Sequence, residues 1–438
     1  MNHSFRSVAL ASLVLAAGYA CGGKDPVDVI GPPAAITFSA TAAPTVLAGT
    51  AIPALTIRVA DQSGRGVPNT PVTLSVTGGG TLNKTTGTTD ANGDVTDVIW
   101  TVGKSAVPQQ LTVTATATGA TATFNATIQT AYELDLRFFG AAAPPAAAAL
   151  FTNSAARIRG SVVGALTNVS FPDSIQLDSV TRISIGQVLQ NFCGGPDVTA
   201  ATLGTTRGVI IYAVVDSIDG PGKILGRAGP CLTRNDGLPA LGVMRFDRDD
   251  INNLINDGRA GFVILHEMLH VIGLGTVWER KGLLTGRNST PTRFTGPKAT
   301  AACVEAGGLP ACSGSVPVED CVGFPEASCG QGSRNGHWRE PVFETELMTP
   351  FIELASAGLL PYSNMSIQSL GDLGYTVNRF SADPYTVLFP NNTISAEGGG
   401  SVLPTMWDVV VQPRFTISPS GVVRAIEPAP KPLSGSTR

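Results

Sequence analysis

Charge is scarce in this chain of 438 residues: Asp, Glu, Lys and Arg make up 14% of it, against roughly 25% in ordinary soluble domains. Yet 43% is hydrophobic, so a chain held unfolded by self-repulsion is excluded. Lys and Arg number 29 against 33 Asp and Glu, and no long basic run occurs. That argues against a nucleic-acid partner and leaves no polybasic cluster for lipid headgroups. No apolar stretch reaches the roughly twenty residues that a membrane-spanning helix needs. Histidine is rare as well, with four in all: His3, His266, His270 and His337. At roughly 150 residues per domain, the length allows two or three domains with real cores.

Residues 1–20 read as an export signal, with Arg6 as the positive start, residues 8–17 (VALASLVLAA) as the apolar stretch and Gly18-Tyr19-Ala20 before a cut. Cys21 follows directly. This resembles a bacterial lipoprotein signal, although Gly18 stands where such signals usually carry Leu. The resemblance implies cleavage before Cys21, lipidation of that cysteine, and an exported protein anchored to the cell envelope. Plain secretion is the alternative. Removing Cys21 leaves Cys193, Cys231, Cys303, Cys312, Cys321 and Cys329, an even set that in an exported chain points to three disulfides. Their pairing is open to fifteen arrangements.

After a Pro/Gly linker at 22–33, residues 34–130 alternate apolar and polar side chains. Leu55, Ile57 and Val59 are one such run, Val72, Leu74 and Val76 another, with turn signals at 61–69 and 90–93 between runs. Short alternating strands at this spacing predict an all-β sandwich. The phrase VADQSGRGVPNTPVTLSVTGGG resembles the bacterial Ig-like repeats of intimin and invasin stalks, which implies a spacer or adhesive module. From 131 to 385 the texture is mixed. Strands are expected at 132–140, 208–219 and 222–229, and helices at 146–166, 247–257 and 261–272; residues 282–335 look like loop. Residues 386–438 read as short strands and a Pro-rich tail. The fold class is therefore multidomain, an all-β sandwich followed by an α/β (α+β) domain.

Chemistry concentrates in residues 262–273 (FVILHEMLHVIG), which contain H-E-x-x-H. Residues four apart share a helix face, so His266 and His270 can meet one ion, with Glu267 beside it rather than on it. By composition alone such a motif is expected on the order of 10⁻³ times in this chain. Two imidazoles and a carboxylate inside an apolar helix would each need a partner, and a metal ion supplies one. A catalytic zinc needs three protein ligands and an open position. His337 is the remaining histidine of the mature chain; Glu279, Glu340, Glu344 and Glu346 are the competing third ligands.

HEMLHVIGLGTVW, then a cysteine-bearing insertion, then HWREPVFETELMTP, resembles the leishmanolysin family of metzincin peptidases. The resemblance implies one catalytic Zn²⁺ on His266, His270 and His337, Glu267 as catalytic carboxylate, Gly273 as the turn out of the helix and Met348 in the methionine turn. Residues 219–230 resemble the metzincin edge strand, against which an extended peptide substrate would pair near 224–228, and 366–377 the closing helix. Arg227 stands where some relatives place a histidine for a second zinc, so one ion is expected. An exported, lipid-anchored zinc endopeptidase acting on proteins is the function implied. Its rivals are a surface adhesin or binding lipoprotein with a structural zinc, and a zinc hydrolase of non-peptide amides.

Overall fold

The structure, a computed structural model, describes residues 29–40, 44–103, 109–129, 131–177, 180–222, 224–322, 324, 329, 333–352, 358–391 and 407–426. The export signal and Cys21 lie outside the described residues. The chain folds as two compact units that part between Ala126 and Thr127, with Thr45–Thr50 grouped with the second.

In the first unit the alternation becomes two sheets. One is antiparallel, in the order Ala35–Phe38, Leu55–Ala60, Asp94–Val98. In the other, Thr121–Gln129, Gln109–Ala115, Pro71–Val76 and Thr86–Thr88 lie side by side in that order. Successive strand residues face opposite ways, so Leu55, Ile57 and Val59, and likewise Leu111, Val113 and Ala115, are buried while their neighbours are less so. Trp100 is fully buried among them. Asp61 clamps the turn at the end of its strand. Its carboxylate accepts the amides of Gly31, Ser63 and Arg65 and pairs with the Arg65 guanidinium at 2.8 Å. Those donors, the Gly31 amide foremost, hold the carboxyl down at about 2.

The second unit is built on a mixed sheet. Leu134–Phe138, Val209–Asp216 and Pro239–Asp247 are parallel neighbours, and Ile224–Arg234 runs antiparallel to the last of them. Val209–Asp216 is apolar on both sides because both faces of the sheet are covered. Val209, Ile211, Ala213 and Val215 join the core formed with helices Pro145–Ser161 and Ala260–Val271, whereas Ile210 and Tyr212 join that formed with helix Ile185–Cys193. Among the described residues no helix is long and apolar enough to cross a membrane.

Several expectations shift. The first helix begins at Pro145, behind Pro144, but stops at Ser161 rather than 166, because Val162–Val163 turn to pair with Thr376–Val377. The strand expected at 222–229 extends over Ile224–Arg234. Its outer edge is not open. Trp407–Val410 lies parallel to it, Ile224 opposite Trp407 and Ala228 opposite Val410, and Phe415–Ile417 continues the cover at Leu232 to Arg234. The tail thus occupies the edge on which a peptide substrate was expected to pair. The segment 282–335 carries helix Pro297–Glu305 and three two-residue strands. Disulfides Cys303–Cys312 and Cys321–Cys329 staple it, and Cys193–Cys231 ties helix Ile185–Cys193 to the long strand.

Candidate metal centre

Helix Ala260–Val271 buries nine of its twelve residues, Glu267 and His270 included, and presents His266 at the margin of a cleft. It ends just before Gly273, although Ile272, Leu274, Val277 and Trp278 around and beyond it are apolar and fully buried. The Gly273 amide bonds the His270 carbonyl at 3.1 Å and the Leu274 amide the Leu269 carbonyl at 3.1 Å, a Schellman closure with Gly273 at φ 114°. A Cβ there would press on Val277 at 2.9 Å. The turn has a second effect, since it brings the Leu274 carbonyl to 2.8 Å from His270 Nδ1.

His337 reaches the helix from a loop 67 residues beyond His270. Gly275 lets that loop come close, because a Cβ on it would overlap the Gly336 carbonyl. Behind the loop, Trp338 stacks on Trp278 with centroids 4.6 Å apart, and both contact Phe294. All three rings are fully buried.

The three Nε2 atoms lie 3.0 Å from one another. Their Nδ1 atoms each face a backbone carbonyl: His266 the Leu347 oxygen at 2.7 Å, His270 the Leu274 oxygen at 2.8 Å, His337 the Ser333 oxygen at 3.0 Å. A carbonyl can only accept, so each Nδ1 carries a proton and Nε2 is the nitrogen each ring leaves free to offer a lone pair to an ion. Three lone pairs at that spacing repel unless a cation lies among them. Ligands at roughly 2.0–2.1 Å around a tetrahedral zinc stand about 3.3 Å apart, so the donor set fits that ion.

Among the described residues these three side chains form a metal-capable group with no fourth member; a second such group, Glu319 with Cys321 and Cys329, is spoken for by the disulfide. The carboxylates that competed with His337 lie elsewhere. Glu279 pairs with Arg287 at the surface. Glu344 sits at φ 38°, and Glu346 is buried in a hydrogen-bond network of its own. Burial pushes the Glu346 carboxyl up, opposed by donors from Ser363, Ser366 and Met348. Glu319, likewise raised by burial, accepts the amides of Cys321 and Glu340, and its own amide donates to the His337 carbonyl at 2.9 Å.

Glu267 is 1% exposed and lines, with His266, a narrow cleft whose other walls include Leu225, Phe262, Leu347 and Phe351. Met348 is fully buried. Its amide is held by Glu346 at 2.6 Å and its carbonyl accepts the Trp338 amide at 3.0 Å. Sequence reasoning named Glu346 only as a ligand and Ser366 only as the start of the closing helix, and gave no role to Gly275, Trp338 or Ser363. The spacing S-N-M-S at 363–366 marks a helix start, which it is, but nothing in it points to a carboxylate.

The sequence profile of the leishmanolysin family matches residues 173–393, half of the chain and the part that holds all of these side chains. No curated protein matches. Similar solved structures include a C-terminal 282-residue fragment of intimin in complex with the intimin-binding domain of the translocated intimin receptor, at 18% identity and TM-score 0.19. The Yersinia pseudotuberculosis adhesin InvE is similar at 26% and 0.20, and invasin, a bacterial integrin-binding protein, at 21% and 0.20. Each similarity covers 23% of this chain, which spans 34%, 33% and 20% of those solved chains.

Proposed function

The chain belongs to the leishmanolysin family of peptidases, and from that premise we propose that it is an exported zinc endopeptidase whose ion is held by His266, His270 and His337 and whose general base is Glu267. The observation that carries the proposal is the convergence of three Nε2 atoms at 3.0 Å with every Nδ1 committed to a carbonyl. When bound, zinc supplies a Lewis acid for the scissile carbonyl and lowers the pKa of a water toward about 7.

The protein's own residues do the rest. Glu267 takes a proton from the attacking water and returns it to the departing amine. Its burial beside an apolar cleft keeps bulk solvent from competing for that proton. Leu225, Phe262 and Phe351 offer an apolar wall to a substrate side chain. The three-ligand group favours catalysis over a structural site, which would normally close with a fourth side chain.

Glu267→Gln tests the assignment. The variant should retain about one zinc per chain by metal analysis and lose cleavage of denatured protein. Wild-type activity in that variant would remove Glu267 from its role. Export, lipidation at Cys21 and attachment to the cell envelope belong to the same proposal, and the three disulfides support an oxidising destination.

A further inference from the structure

Glu346 is a carboxylate beside the metal centre for which the chemistry above has no use. It is 1% exposed, and its neighbours are donors. Oε1 accepts the hydroxyls of Ser363 and Ser366 at 2.6 Å each and the Ser363 amide at 3.3 Å; Oε2 accepts the Met348 amide at 2.6 Å. The two hydroxyls are themselves oriented. Ser366 Oγ takes the Trp338 indole N–H at 2.7 Å and Ser363 Oγ takes the Ser366 amide at 3.3 Å, which directs both hydroxyl protons at the carboxylate. Four donors oppose the desolvation that pushes this carboxyl up.

The peptide between Leu347 and Met348 gives this network its direction. Its N–H is held by Glu346, and its C=O, on the opposite side of the same planar unit, accepts His266 Nδ1–H at 2.7 Å. Carboxylate, peptide and imidazole therefore stand in series. Hydrogen bonds in series polarise one another, and a carboxylate behind a metal-binding histidine fixes its ring and raises its basicity. Here the carboxylate acts from one peptide further away. The Met348 carbonyl, one residue on, accepts the amide of Trp338, next to His337.

We propose that Glu346 is a positioning residue that aims His266 and strengthens it as a ligand through the Leu347–Met348 peptide. This rests on the metal-site reading above. Replacing the carboxyl group by its amide isostere should weaken metal binding even where the fold is intact.

The test is zinc titration of the full chain against a competing chelator for the wild type, Glu346→Gln and Val188→Ala. Glu346→Gln keeps an acceptor for the Met348 amide and should raise the zinc Kd about tenfold, and shift the absorption of the cobalt-substituted protein. Val188→Ala removes a fully buried side chain from the core on the other face of the sheet; it should lower the melting temperature and leave the zinc Kd within about twofold. Equal losses of affinity in the two variants, in proportion to lost stability, would overturn the relay. So would an unchanged Kd in Glu346→Gln while the wild type binds zinc. A wild type that binds none overturns the metal-site reading, and the relay with it. Should Glu346→Gln not fold, the wild-type Met348 amide proton decides. Far downfield and moved by zinc loading is the expectation; an ordinary resonance that zinc leaves in place sinks the proposal.

Discussion

Both units bury carboxylates that accept backbone amides, and they differ in what lies at the far end of that backbone. In the sandwich, Asp61 gathers the amides of Gly31, Ser63 and Arg65, and its influence ends within one turn and the segment that leads into the first strand. In the second unit, Glu319 holds Cys321 and Glu340 while its own amide meets the His337 carbonyl, and Glu346 holds the peptide whose oxygen orients His266. The same interaction closes a loop in one place and aims a ligand in the other. A buried carboxylate is thus informative about function only when followed outward, bond by bond, to what its partners touch.

That contrast can be tested from both sides. The largest effect is expected from His337→Ala, which removes one of three converging imidazoles. Zinc affinity should fall by at least about a hundredfold in a chelator competition, and undiminished metal content would hand the third position to another side chain. Next is Trp100→Ala in the sandwich, where deleting a fully buried indole should cost about 3–5 kcal/mol of that unit's stability. Zinc affinity and cleavage of a short peptide should stay at wild-type values. A parallel loss of both would show that the sandwich is more than a carrier. The smallest effect concerns the tail. Val411→Pro removes the amide that bonds the Ala228 carbonyl at 2.8 Å, a contribution of about 1 kcal/mol. Weaker cover of the long strand should lower KM for an extended peptide by up to about fivefold, and an unchanged or higher KM would mean that substrate does not pair there.

Much of this was written locally in the chain. The alternation through Leu111, Val113 and Ala115 gives strands because period-two burial needs no distant partner to be seen. His266, Glu267 and His270 are legible because a helix repeats in under four residues, and His337 because histidine is so scarce. Helix Ile185–Cys193 is marked in the sequence by the capping box of Ser184 and Gln187, although it is too short for a long apolar period. Other features depend on encounters that no window of sequence contains. Ser363 and Ser366 reach Glu346 across 17 and 20 residues. Gly275 matters only because Gly336 lands on it. The pairing of Phe415–Ile417 with the strand that ends at Arg234 joins segments that share no pattern at all.

The tail strand has one more consequence, away from catalysis. An eleven-residue strand with an unpaired side would be an adhesive seam, ready to zip onto the same seam of a neighbouring molecule. Trp407–Val410 and Phe415–Ile417 seal it from within. Whatever loosens them to admit a polypeptide also bares a surface prone to self-association, so easy entry for a guest and colloidal solubility pull this stretch of chain in opposite directions.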